Sequence, residues 1–275
     1  MVKKFLSYLS LFFLSFIWVI PFYSSIVAAL KTNEEFALSP FWNLPKDPIK
    51  AFLENLRMAW EIGNMSYYFT NSLLYASIGA ASAVLIASLG AFSLARLKFK
   101  GRDSLFFLIM LGTFFPFQMY LIPLLRLWLN LGLYNTFIGL LIVYIAITIP
   151  FLIFLLRNYF ITIPQDLFDA ARIDGLSYFK IYLYIFLPLS LPALVVGFTI
   201  QFVWGWNDLL FGMVLTSSVN TRNVMAGLTT ISGSFSYTYA TLSAAALIAA
   251  LPPMLVFIFL QRFVVRGLLL GSVKR

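Results

Sequence analysis

The stretch FLSYLSLFFLSFIWVIPFYSSIVAAL, residues 5–30, runs for 26 residues without a charge. A helix needs roughly 20 such residues to cross about 30 Å of hydrocarbon. A secretory signal has an apolar core of only about 7–15 residues, so although Lys3 and Lys4 precede this run, its length reads as a retained anchor. Five further uncharged runs follow, at 72–95, 104–125, 136–156, 185–206 and 241–261. Lipid offers no water to a bare peptide group, which forces each run into a helix. The expectation is an all-α polytopic membrane protein with six transmembrane helices, organised as a single transmembrane domain over residues 1–275.

Composition agrees. Hydrophobic residues make up 61% of the chain and charged residues 11%, against about 45–50% and 25% in soluble domains, and the mean hydropathy is +0.93. The sequence has no Cys and no His. That excludes disulfides, thiolate or imidazole metal sites, and triads that use His as their base. All 29 charged residues lie outside the six runs. An ion-coupled secondary carrier keeps ionisable groups at membrane depth, and an intramembrane enzyme needs a base or nucleophile there; both readings are disfavoured. No G-x-x-x-x-G-K-[ST] phosphate loop is present. The chain is expected to carry no cofactor, and energy for uphill transport would come from another subunit.

The net charge of +9 has a topological explanation. Lys3, Lys4, Arg96, Lys98, Lys100, Arg102, Arg157, Arg172, Lys180, Arg262, Arg266, Lys274 and Arg275 fall on one side of the six runs, and six cations fall on the other. By the positive-inside rule both termini and the loop 157–184 are expected in the cytoplasm of a cell inner membrane. A nucleic-acid partner is not needed to explain the basic balance.

The connections and the polar residues of the runs carry further expectations. Residues 31–70 form the longest outer segment, with turns at Pro40, Pro45 and Pro48 and a helix-like stretch over 49–62. Small residues recur every four positions at Gly79, Ala83, Ala87, Ala91 and Ala95, a face that lets helices approach closely in lipid. Pro21, Pro116, Pro123, Pro150, Pro188, Pro192, Pro252 and Pro253 lie in or at the ends of runs, where each removes a donor and tends to kink a helix. Gln118, Tyr120, Trp206 and Asn207 combine neutral hydrogen-bonding groups with aromatic rings. They are candidates for a pathway used by a hydroxyl-rich, uncharged solute such as a sugar, and the alternative is that they bond other helices.

The fourth connection reads IPQDLFDAARIDGLSYFKIYLYIFLPLSLPAL from Ile163. Pro164 fits a first helical position, Asp166 favours the first turn, and Gly175 can supply a left-handed stop. The result is an amphipathic helix of about 11 residues, roughly 16 Å long and too short to span. Pro164, Leu167, Phe168, Ala171 and Gly175 fall on one face, and Ser177 can cap a second helix. Asp169-Ala170-Ala171, Gly175, Ile185 and Leu187-Pro188 stand at the spacing of E-A-A-x3-G-x9-I-x-L-P, and this loop resembles that of importer-type ABC permeases. The departure is Asp for Glu at 169. Asn71-Ser72, the Pro116 and Pro123 region, Trp206-Asn207-Asp208 and Gly267 to Lys274 are similar to the six-span maltose-type subunit of carbohydrate importers.

The resemblance implies a coupling helix docked in a cleft of a cytoplasmic ATPase through Leu167, Phe168, Asp169, Ala170, Ala171, Arg172, Asp174 and Gly175. Leu167 and Phe168 would anchor in an apolar recess, Ala170 and Ala171 would permit close approach, and Gly175 would permit a sharp exit. It also implies a second homologous permease subunit, two copies of the ATPase binding ATP, and an extracytoplasmic solute-binding protein. A sugar or oligosaccharide is the expected substrate; a polyamine, phosphate or amino acid is the alternative.

Overall fold

The structure, a computed structural model, describes residues 2–40, 42–232 and 239–272. Val273, Lys274 and Arg275 lie outside the described residues, as do the side chains of Lys3 and of residues 264–272, so the C-terminal similarity and part of the charge count fall beyond them. Fourteen α-helices and no strand occur among the described residues: α1 (Val2–Ala29), α2 (Asn33–Leu38), α3 (Pro48–Arg57), α4 (Met65–Arg96), α5 (Arg102–Leu111), α6 (Leu121–Asn130), α7 (Phe137–Thr162), α8 (Gln165–Ile173), α9 (Tyr178–Ile181), α10 (Leu187–Leu189), α11 (Leu191–Trp206), α12 (Leu210–Leu215), α13 (Val224–Ser232) and α14 (Tyr239–Ser272).

Four helices, α1, α4, α7 and α14, are each long and apolar enough to cross a membrane unbroken. The third and fifth expected spans differ from a straight helix. Arg102–Phe114 and Phe117–Asn130 meet at 84°, and Tyr178–Leu189 and Leu191–Trp206 meet at 77°. Counting each bent pair as one span restores six. At the first break the helix tightens into a 3-10 turn at Gly112–Phe114, and Phe115 and Pro116 are extended. Pro116 has no N–H to continue the ladder. At the second, Ser190 sits between Pro188 and Pro192, both lacking that donor. Pro150, Pro252 and Pro253 leave their helices continuous.

The chain divides into two compact units. One comprises Met1–Phe69 with Ala226–Leu251. Here the segment after α1 is a built structure. Thr32 and Glu35 form a reciprocal capping box on α2. Backbone N–H groups of Lys46 and Thr32 donate to the Glu35 carboxylate and hold it below the usual range. Lys31 is buried and donates through Nζ to Ser39 Oγ at 2.9 Å and to the Pro40 carbonyl at 2.7 Å. Asn55 of α3 donates to the carbonyls of Ala29 and Lys31. The helix expected over 49–62 appears as α3 followed by a π turn at Met58–Ile62.

The second unit comprises Thr70–Met225 with Pro252–Arg275. The small face of α4 is its centre: Ala83, Ala87 and Ala91 are buried against Leu152, Ile153, Leu156 and Phe160 of α7 and Ala193 of α11. α7 and α11 also approach closely at Gly197, where a Cβ would stand 3.1 Å from Leu152 Cδ2. Without side-chain bulk the helices gain dispersion contacts that lipid tails would not supply as well.

A polar clamp holds the segment after α12. Asn135 adopts φ 55°, in the left-handed region, and its Oδ1 accepts from the N–H groups of Ser217 and Ser218 at 2.8 and 2.9 Å and from Thr221 Oγ1 at 2.6 Å. Asn71 donates to the carbonyls of Val219 and Arg222, Tyr75 Oη to that of Thr221, and Ser72 Oγ accepts from the N–H of Val224. Removing the Asn135 hub leaves several donors unanswered. Asn135→Gly is expected to cost about 1–3 kcal/mol, and Asn135→Ala about 1 kcal/mol more because a Cβ disfavours the left-handed backbone. Unfolding of the detergent-solubilised protein would read the order, and equal stability of both variants with the parent would remove the hub role.

Candidate functional site

The helix α8 is set by its ends. Ile163 and Pro164 are extended, so Pro164 caps α8 rather than opening it, and the helix has 9 residues instead of about 11. At its other end Gly175 takes φ 79°. The Gly175 N–H donates to the Arg172 carbonyl at 3.1 Å and the Leu176 N–H to that of Ala171 at 3.0 Å. This is the Schellman pattern, which needs a left-handed residue where glycine stands.

The expected contact residues divide between two faces. Phe168 is 7% exposed: its ring stacks on Tyr178 at 6.1 Å and tilts against Phe92 and Phe186 at 6.3 Å. Ala171 is buried beside it in the same cluster. Those two side chains seat α8 on this chain's own core, so of the pair expected to anchor in an apolar recess Phe168 is turned inward here and Leu167 outward. The amphipathic pattern has an inner meaning here, since a ring this large is worth more buried than left in water. Leu167 at 45% exposure and Ile173 at 86% face outward, with Asp169, Ala170, Asp174 and Gly175 also exposed. Ile173 was not singled out by the sequence pattern, because it falls on the polar side of the helix. Arg172 lays its guanidinium over the Tyr178 ring at 4.3 Å and donates to the Leu176 carbonyl.

The α4 end of the loop is tied in as well. The Arg96 guanidinium donates to the carbonyls of Phe160 and Ile163 and to Gln165 Oε1 at 2.6 Å. Gln165 Nε2 donates in turn to Asp169 Oδ1 at 3.0 Å. In the sequence Arg96 reads only as one of the cations that set orientation.

The pathway candidates are scattered. Tyr120 lines a cavity of about 300 Å³ with Thr113, Thr148, Phe151, Gln201 and Trp204. Asn207 lines a second, of about 730 Å³, with Thr199, Trp204 and Asp208 among its walls. Trp206 is 1% exposed, stacks on Phe202 at 5.9 Å and lines neither of these two cavities. Gln118 is exposed and lies on neither of these walls. Gln201 and Trp204 of α11 stand on the smaller cavity's wall, and Trp204 borders the larger one too. Gln201 Nε2 donates to the Tyr144 carbonyl at 2.7 Å.

Beside the larger cavity lies a buried network. The Tyr144 hydroxyl donates to Asp208 Oδ2 at 2.7 Å, and Asn223 Nδ2 donates to the Tyr144 hydroxyl and the Asp208 carbonyl oxygen. The Asp208 carboxylate also accepts from the N–H groups of Phe211 and Gly212, at the start of α12. Burial pushes this carboxyl above the usual range, opposed by the donors of Tyr144, Gly212 and Phe211. Asp208 stands just past Trp206, outside the span. The network joins α7 and α11 to the segment that follows them.

Comparison with known proteins agrees with this architecture. Residues 83–269 match the model of the binding-protein-dependent transport system inner membrane component. The osmoprotective compounds uptake permease protein GgtD of Synechocystis sp. is 35% identical over 265 residues, covering 95% of this chain and 89% of that protein. The arabinooligosaccharides transport system permease protein AraQ of Halalkalibacterium halodurans is 31% identical, with 95% and 93% covered. A chain in the crystal structure of a bacterial ABC transporter involved in the import of the acidic polysaccharide alginate superposes with a TM-score of 0.83 at 22% identity, over 95% of this chain and 96% of that one. That likeness is one of fold. Broken spans, a short surface helix and a matched region covering most of the chain lead to one assignment: this protein belongs to the family of binding-protein-dependent transport system inner membrane components.

Proposed function

We propose that the chain works as a single permease domain in an ATP-driven ABC importer of a sugar or oligosaccharide, and that α8 is the element on which a separate ATPase acts. In this reading two ATPase copies bind the nucleotide, a second homologous permease completes the membrane pore, and an extracytoplasmic receptor delivers solute. The chain itself does no covalent chemistry. Both termini and α8 face the cytoplasm.

The observation that carries the reading is the division of α8 into two faces. Phe168 and Ala171 seat the helix on the protein's own core, while Leu167 and Ile173 stand exposed, the latter at 86%. A short helix so held presents a stiff apolar rim to a partner and passes on a push as rigid-body motion. For the solute, cavity walls of Tyr120, Trp204, Thr148 and Gln201 support a neutral, hydroxylated molecule that stacks on rings and bonds amides. The arabinooligosaccharide relative supports the same class. An osmoprotective compound is the second reading, favoured by the resemblance to GgtD. A phosphate is not supported by these walls, which carry no cation, Asp208 being the one charged residue on either.

Two experiments on the complete complex test the coupling role. Leu167→Asp and Ile173→Asp should leave stability within about 0.5 kcal/mol, as for exposed positions, yet lower copurification of the ATPase and ATP-dependent uptake of a disaccharide panel. Phe168→Ala should instead cost about 3–5 kcal/mol of stability through the cavity it leaves. If the two exposed changes leave both ATPase retention and uptake untouched, the docking face is wrong. Separately, Gly175→Val forces a β-branched residue into the left-handed region at about 1–2 kcal/mol. Folded protein with reduced uptake is expected, and full uptake would show that the stop of α8 is dispensable.

A further inference from the structure

We infer that Arg96 is a positioning residue that locks the hinge between α7 and α8, so that the last turn of α4, the end of α7 and the surface helix move as one body. This rests on the proposed role of α8 as the ATPase contact, and goes beyond it by assigning the part that transmits the motion.

Only Ile163 and Pro164 join α7 to α8, and both are extended, with ψ 133° and 138°. The Ile163 N–H still donates to the Phe160 carbonyl at 3.3 Å, whereas Pro164 has no N–H to give, so the backbone ties this joint to α7 but not to α8, and a 9-residue helix could swing about it. Arg96 spans that joint. Its guanidinium meets the Phe160 carbonyl before it, the Ile163 carbonyl within it and the Gln165 side chain after it. A planar fork with five fixed donors can meet three acceptors in this way, whereas an ammonium presents a point charge. Positive charge against the final carbonyls of α7 also suits the negative end of that helix.

The cation is held on other sides too. Arg96 is only 9% exposed, and its guanidinium carbon lies 5.0 Å from the centre of the Phe186 ring, which itself contacts Phe168 of α8. Gln165 carries the chain of bonds onward to Asp169, one residue of the expected docking face. A buried cation with no carboxylate within ion-pair distance among the described residues is costly to hold. Its geometry places it where three elements meet, and orientation of the membrane protein alone would be served equally by an exposed lysine such as Lys98.

The test uses the absence of native cysteine. Spin labels are placed at Asp166→Cys on α8 and at Leu85→Cys on α4, both exposed, in the reconstituted complex with its ATPase. Their separation is measured by pulsed electron resonance with and without Mg-ATP. With Arg96 intact, one narrow distance that does not shift with nucleotide is expected. In Arg96→Gln the distribution should broaden and become nucleotide-dependent, and in Arg96→Lys the loss should be intermediate. Gln165→Leu, at an exposed position that leaves the two carbonyl bonds in place, should broaden it partially even if Arg96→Gln does not assemble. A distribution as narrow as the parent's in Gln165→Leu and in every Arg96 variant that assembles, with only yield or melting lowered, overturns the proposal. Crosslinking of a separate Ile173→Cys variant, with Arg96 intact, to the ATPase is scored apart. Its absence would count against α8 as the ATPase contact, while the distance result still decides the hinge.

Discussion

Lipid cannot hydrogen-bond a peptide group, and the architecture follows from how the chain answers that deficit. Where the backbone ladder is continuous, in α1, α4, α7 and α14, apolar side chains suffice. Where it is interrupted, the structure supplies other partners or space. The segment after α12 is met by Asn71, Ser72, Tyr75 and Asn135, so a stretch of irregular chain is pinned by side chains projecting from helices or from the turn before α7. The end of α7 is met by the Arg96 guanidinium. Many of the polar side chains thus gather where backbone ends, with a few mid-helix bonds such as that of Gln201 to the Tyr144 carbonyl added to the packing.

Packing in turn depends on the small face of α4. Ala83, Ala87 and Ala91 bring α7 close enough for Leu152 and Phe160 to be fully buried, and that contact continues through Phe92 to Phe168 of the surface helix. The aromatic cluster is continuous from the membrane helices to α8. A displacement of α8 therefore cannot be absorbed by soft solvent-filled space, because interiors packed at this density deform little.

Much of this was legible in the amino-acid sequence. Uncharged runs of sufficient length gave the helices, and the Pro164 and Gly175 punctuation gave α8 to within one or two residues at each end. The bends were not legible. Pro150 and the Pro252-Pro253 pair look no different in the sequence from Pro116 or Pro188, yet the first group leaves helices unbroken. Whether a lost donor breaks a helix depends on which neighbours can take up the freed carbonyl, and that is a property of the packed state. The partner of Phe168 was not legible for a related reason: an apolar face says that a side chain wants burial but not which protein buries it, and here Phe168 lies in the chain's own cluster. Arg96 was hidden because a cation at the end of a run has a sufficient topological explanation. The pathway candidates were the least readable, since Tyr120 and Asn207 reach the walls of these two cavities while Gln118 does not, and a difference of one or two positions decides it.

The broken third span has an outcome of its own. Gly112, Thr113, Phe115 and Phe117, all at or beside the interruption, border the chamber of about 300 Å³. Its hollow is opened by main-chain geometry, by a proline that cannot donate and a turn wound too tightly to continue. Side chains only paper the walls. Such a hollow can be re-lined by exchanging Thr148 or Trp204 without filling it in, so its capacity rests on the backbone while its chemistry rests on a few exchangeable side chains.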